Sequence, residues 1–130
     1  MSSDRRAARE RALELLYEAQ AKGCSVDDVL AELPLAPDRL AVRLASGVDQ
    51  ETASLDALIE PALKPGWVLA RLAIVDHLVL RIGAWELRDT PDVPTGVVIA
   101  EAVELAKQFS GDDAARFVNG VLSAIGNRDG

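Results

Sequence analysis

An all-α fold is predicted for this sequence by three observations. Apolar residues recur at helical spacings along most of the chain. No stretch alternates apolar and polar residues for more than a few positions. Half of the 130 residues are hydrophobic but only 4% are aromatic, so the core must be filled by Ala, Leu, Val and Ile, the usual packing of helices. The length suits a single domain over residues 1–130, one able to bury roughly 65–70% of the surface its unfolded chain exposes. No internal repeat or low-complexity tract interrupts it.

The first helix is expected from about Asp4 to Lys22, with Ser3 as a cap and Gly23 as its stop. Its core stripe is Ala8, Ala12, Leu15, Leu16 and Ala19. Ser25-Val26-Asp27-Asp28 resembles a capping box opening a short second helix to about Leu33. Pro34 and Pro37 punctuate a loop, and a long third helix is expected from Pro37 to Leu63, weakened in the middle by Gly47. Pro65-Gly66 breaks the chain again. From Trp67 to Asp89 the sequence is apolar almost all round, as in the buried centre of a bundle, with a break possible near Arg71. After Pro91 and Pro94, Thr95–Phe109 is amphipathic through Val98, Ala102, Leu105 and Phe109. A last helix follows Ser110-Gly111 and buries Phe117, Val118, Val121, Leu122 and Ile125. Asn119-Gly120 is a hairpin-turn signal, but its apolar flanks fit one helical face. It reads as helix, with Gly120 allowing close helix–helix approach.

Charge and composition exclude much. The single Cys24 forms no disulfide within the chain and fits a reducing cytoplasm. The charged N-terminus is unlike a secretion signal, and no stretch is apolar enough to span a membrane. One histidine, His77, and one cysteine cannot build a structural metal site, so no metal is expected. No Gly-rich phosphate loop follows a strand. Asp27-Asp28 and Asp112-Asp113 sit at helix starts, where the helix dipole favours anions. No enzyme activity and no cofactor are expected. The net charge of −7 is uneven. Residues 1–24 carry +1, whereas residues 25–62 carry −6, so a local basic site is compatible with an acidic whole.

That site is the start of the first helix. Arg5, Arg6 and Arg9 fall within an arc of roughly 100°; Arg11 points elsewhere. Tyr17 lies near the angular position of Arg6, two to three turns on. Arg5 and Arg9 border the core stripe, so the helix start is expected to project past the core and present its guanidinium groups to solvent. Three such forks and a nearby aromatic suit phosphates and stacked bases. Spacing alone equally allows these arginines to pair with Glu10, Glu14 and Glu18 while Tyr17 simply packs.

Four stretches carry a wider resemblance: Arg5-Arg6-Ala7-Ala8-Arg9-Glu10-Arg11-Ala12-Leu13-Glu14-Leu15-Leu16-Tyr17, Val75 through Leu87, Val93-Pro94 through Lys107, and Arg116-Phe117-Val118-Asn119-Gly120-Val121-Leu122. Together the chain resembles the NusB family of bacterial transcription antitermination factors nearly end to end. It departs from the family pattern at Ala7, His77, Trp85 and Ala100. The resemblance implies a compact bundle of about seven helices in two three-helix sub-bundles. It implies binding of boxA-type single-stranded RNA of ribosomal RNA operons, with the ribosomal protein NusE as partner, in the RNA polymerase antitermination complex. Carried over by position, the RNA-binding residues are Arg5, Arg6, Arg9, Tyr17, Asp113 and Arg116, and Asp76 on the central helix contacts NusE. The alternative is a protein-only helical adaptor or homodimer with a weakened RNA site. A third possibility is a fragment of a ribosomal RNA cytosine methyltransferase, whose N-terminal part shares the fold; the chain ends without the cofactor-binding domain such an enzyme needs.

Overall fold

A computed structural model describes residues 2–129, with side chains over residues 4–127. Seven α-helices and two 3-10 turns make up the described chain, and it contains no strand. The helices are α1 (Ser2–Lys22), α2 (Val26–Ala31), α3 (Arg39–Gln50), α4 (Thr52–Ile59), α5 (Ile74–Asp89), α6 (Thr95–Ser110) and α7 (Asp112–Asp129). The expected Ser3 cap lies outside the described side chains. Gly23, at φ 66°, terminates α1 in the left-handed region that glycine adopts without a Cβ clash. The capping box forms: the Asp28 amide donates to Ser25 Oγ, and the Ser25 amide donates to the Asp28 carboxylate.

Helices α1, α2 and α3 pack as one group, and α5, α6 and α7 as another, with α4 leaning on α5. One apolar core runs through both groups, because α1 and α3 each pack against α5. The whole α1 stripe is buried, and so is α5 from Leu78 to Glu86 apart from Arg81. The all-round apolar character of α5 is thus explained by neighbours on every side.

Five local expectations need correction. The long third helix is two: Glu51 leaves the helical region at φ −125°, ψ 23°, and α4 sets off in a new direction that carries Leu55 and Ile59 into the core. The Ser54 hydroxyl donates to the Glu51 carbonyl at 3.1 Å and helps close that corner. Gly47 does not weaken α3 but lets it approach the Trp85 ring; a Cβ there would lie 2.6 Å from the indole. Trp67 lies before α5, half exposed, its ring 5.1 Å from that of Phe117, while Leu69–Arg71 forms a 3-10 turn. Gly120 is helical as expected, yet a Cβ there would meet nothing within 4 Å, so it serves no close approach. Gly83 does, against Leu122. Phe109, expected in the α6 stripe, keeps its angular position but ends up exposed with the rest of the last turn, residues 107–110, which lies outside the core.

Candidate functional site

The arginines of α1 do not share one environment. Arg9 is 3% exposed and grips Glu86 of α5 in a bidentate fork, Nε and Nη2 each donating to a carboxylate oxygen at 2.8 Å. The expectation that it faces solvent is therefore wrong. The helix start stands clear of the core only over residues 4–7, which are exposed; at Arg9 α5 packs beside α1, and Glu86 supplies the charge that allows a guanidinium to be buried there. Arg6 is exposed but also paired, with Nε and Nη2 donating to Glu101 of α6 at 3.1 and 2.9 Å. Glu101 also lies 3.7 Å from Arg9 Nη1, so one carboxylate serves two arginines. The hydrogen bond from Arg6 holds the Glu101 carboxyl below its ordinary range, against a smaller upward push from burial.

Arg5 is exposed and has no carboxylate partner among the described residues. It lines a small cleft of about 60 Å³ with Arg9, Arg43, Trp85, Glu86 and Asp92. Arg11 turns away and pairs with Glu14 at 3.2 Å. Local pairing with glutamates thus accounts for Arg11, whereas Arg6 and Arg9 reach carboxylates 95 and 77 residues away.

Tyr17 is 47% exposed and lies over a different feature, an apolar groove of about 560 Å³ with Leu13, Val75 and Phe109. Its rim carries Glu14, Glu18 and Lys22. Phe109 ends α6, and Asp113 and Arg116 open α7 just beyond it, exposed and paired with each other. Along the seam between α1 and α6 the structure therefore sets Arg6 beside Glu101 at one level and Tyr17 near Phe109 further on, about three turns along α1 and two along α6. Asp76 stands one residue past Val75 of the groove, in the first turn of α5. Its Oδ1 is buried and meets no hydrogen-bond donor among the described residues.

His77 is partly buried and bonded through Nε2 to Asp56 Oδ1 of α4 at 2.7 Å. Arg81 donates to both Asp56 oxygens, at 3.0 and 2.7 Å. Burial pushes the Asp56 carboxyl up, but the hydrogen bonds from Arg81 and His77 outweigh it and hold it below its ordinary range. This trio pins α4 to α5. No group of three or more potential metal ligands exists among the described residues, and no described helix is long and apolar enough to cross a membrane.

Against known families, the NusB family model matches residues 6–127. The chain belongs to the NusB family. It is 42% identical over 125 residues to the transcription antitermination protein NusB of Thermobifida fusca (strain YX), covering 93% of this chain and 87% of that one. Among solved structures it is similar to NusB of T. maritima, with a TM-score of 0.84, 30% identity, and coverage of 95% of this chain and 90% of that one. It is also similar to a chain in a crystal structure of the antitermination factors NusB and NusE in complex with dsRNA. There the TM-score is 0.81 and the identity 29%, with 98% and 99% of the two chains covered. Arg6, Arg9 and Arg11 of α1, the α5 segment around Asp76 and the start of α7 lie inside the matched range, and Arg5 stands one residue before it.

Sequence reasoning missed Glu86 and Glu101 as the residues that decide what Arg9 and Arg6 can do. A signal was present: Glu86 directly follows the apolar run Ile82–Trp85 of α5 and precedes Leu87. An acid there needs a buried cation, and the boundary position of Arg9 on α1 made it the candidate.

Proposed function

We propose that this chain is a non-enzymatic antitermination factor, acting as one RNA-binding unit over residues 1–130. It binds single-stranded boxA-type RNA of ribosomal RNA operons together with NusE, and the complex joins RNA polymerase in the cytoplasm. The observation that carries the reading is the end-to-end correspondence with a NusB structure solved with NusE and RNA. The geometry supports it. Arg5 offers a guanidinium with no carboxylate partner among the described residues, Arg6 is exposed and shares Glu101, and Tyr17 with Phe109 presents aromatic faces to unstacked bases. Asp113 and Arg116 lie beyond that groove and complete the RNA face. Arg9 acts from beneath, fixing α1 against α5 rather than touching phosphate. Asp76, partly exposed in the first turn of α5, is the proposed contact with NusE.

The test is a titration of a labelled boxA-type oligonucleotide, single-stranded and as a duplex of the same sequence, with and without NusE. Tight binding of the single strand in the presence of NusE, with the duplex weaker, is expected. No binding of either form with NusE present overturns the reading. A second reading, a homodimer or protein-only adaptor, draws on the apolar groove of Leu13, Tyr17, Val75 and Phe109, which is large for an unpartnered surface. A dimer in size-exclusion chromatography that persists with saturating oligonucleotide and NusE would favour it.

A further inference from the structure

Arg43 on α3 has no role in anything described so far, yet it is an unusually well-placed cation. Its guanidinium carbon lies 5.6 Å from the centroid of the Trp85 ring. The approach is built into α3: one turn later, Gly47 lies flat against the same indole, leaving no room for a Cβ. The helix is thereby held close to the ring, and the Arg43 head group rests on its face rather than sweeping through solvent. Among the described residues Arg43 has no carboxylate partner, and the same is true of Arg5, which lines the same cleft from α1. Arg39 is exposed one turn before Arg43, on the same face of α3. Asp92 also lines the cleft and lowers its potential without pairing with either arginine.

The contrast with the rest of the cationic end is the point. Arg6, Arg9, Arg11 and Arg116 are each already held by a carboxylate, and a phosphate must displace or share that partner. Arg5 and Arg43 need displace nothing. We propose that Arg43, propped on Trp85, is an RNA-backbone contact, and that the strand runs from the start of α1 across the cleft onto α3 toward Arg39. This inference rests on the RNA reading above and adds to it a second helix and a direction of travel.

The experiment measures the salt dependence of binding to a boxA-type single strand extended by several nucleotides at both ends, with NusE present. Arg43→Gln, Arg43→Lys and Arg5→Gln are compared with Arg71→Gln, an exposed arginine in the 3-10 turn before α5. Loss of one phosphate contact should flatten the slope of log K against log salt by about 0.7, equivalent to about fivefold weaker binding at 0.1 M salt. Arg43→Gln is expected to show this flattening, Arg43→Lys to restore the slope, and Arg71→Gln to leave it unchanged. Thermal melting of each variant checks that none acts through unfolding. An Arg43→Gln slope equal to that of the unaltered protein, while Arg5→Gln flattens it, overturns the α3 track and leaves the RNA reading standing. Equal flattening by Arg71→Gln also overturns it, since the effect would then be that of net charge alone. Absence of RNA binding by the unaltered protein with NusE removes both.

Discussion

Arg9 of α1 and Glu86 of α5 form a two-pronged ion pair, both hydrogen bonds 2.8 Å long and both residues 3% exposed. It joins the two helical groups at the level where the candidate RNA face begins. Breaking such a pair from one side leaves a buried charge without compensation, which costs about 3–5 kcal/mol. Arg9→Ala is therefore expected to lower the urea midpoint sharply, and Arg9→Met with Glu86→Leu to recover most of the loss. A full-strength fold in Arg9→Ala would contradict the burial described here.

On the proposed RNA face, Glu101 is expected to compete with RNA for Arg6. Glu101→Gln removes its charge while keeping its shape, leaving Arg6 free to meet a phosphate. Tighter binding of single-stranded RNA and a steeper salt slope are expected. Weaker binding would mean that the carboxylate orients Arg6 for the RNA rather than withholding it.

On the proposed RNA face, Tyr17 is expected to contribute a ring face rather than a hydroxyl. Stacking of a base on an aromatic side chain is worth about 1–3 kcal/mol. Tyr17→Ala should weaken RNA binding by that amount, and Tyr17→Phe should leave it nearly intact, both read by fluorescence titration. Equal losses in the two variants would point to a hydrogen bond from the hydroxyl instead.

The Asp56 and Glu101 carboxyls are both held below their ordinary range, Asp56 by Arg81 and His77 against its burial and Glu101 chiefly by Arg6. A carboxylate lowered in the folded state adds stability above the unfolded-state pKa and loses it as pH falls through the folded value. Urea midpoints should therefore drop on acidification below the ordinary carboxylate range. Asp56→Asn should be less stable near neutrality and lose less on acidification than the unaltered protein.

Two glycines should respond oppositely to alanine. At Gly83 a Cβ would lie 2.5 Å from Leu122 Cδ1, an overpacking worth about 1–3 kcal/mol of lost stability. At Gly120 the space is open and the backbone helical, so Gly120→Ala should stabilise by up to about 1 kcal/mol. Chemical denaturation of the two variants reads both signs.

The helical class, the buried stripe of α1, the buried α5 and the helix across Asn119-Gly120 were legible in the sequence, because each depends on spacing within one element. So was membership of the NusB family, whose motifs are contiguous stretches. Other features depend on which elements meet. Whether Arg9 is a ligand-facing or a buried cation was settled by Glu86, 77 residues away on another helix. The break at Glu51 follows from the direction α4 needs to bring Leu55 and Ile59 into the core. Gly47, read along the chain as a weakness, is required by the Trp85 ring pressed against it. Periodicity reports the face a residue occupies on its own helix; the charge and shape opposite that face come from the packing of helices far apart in sequence.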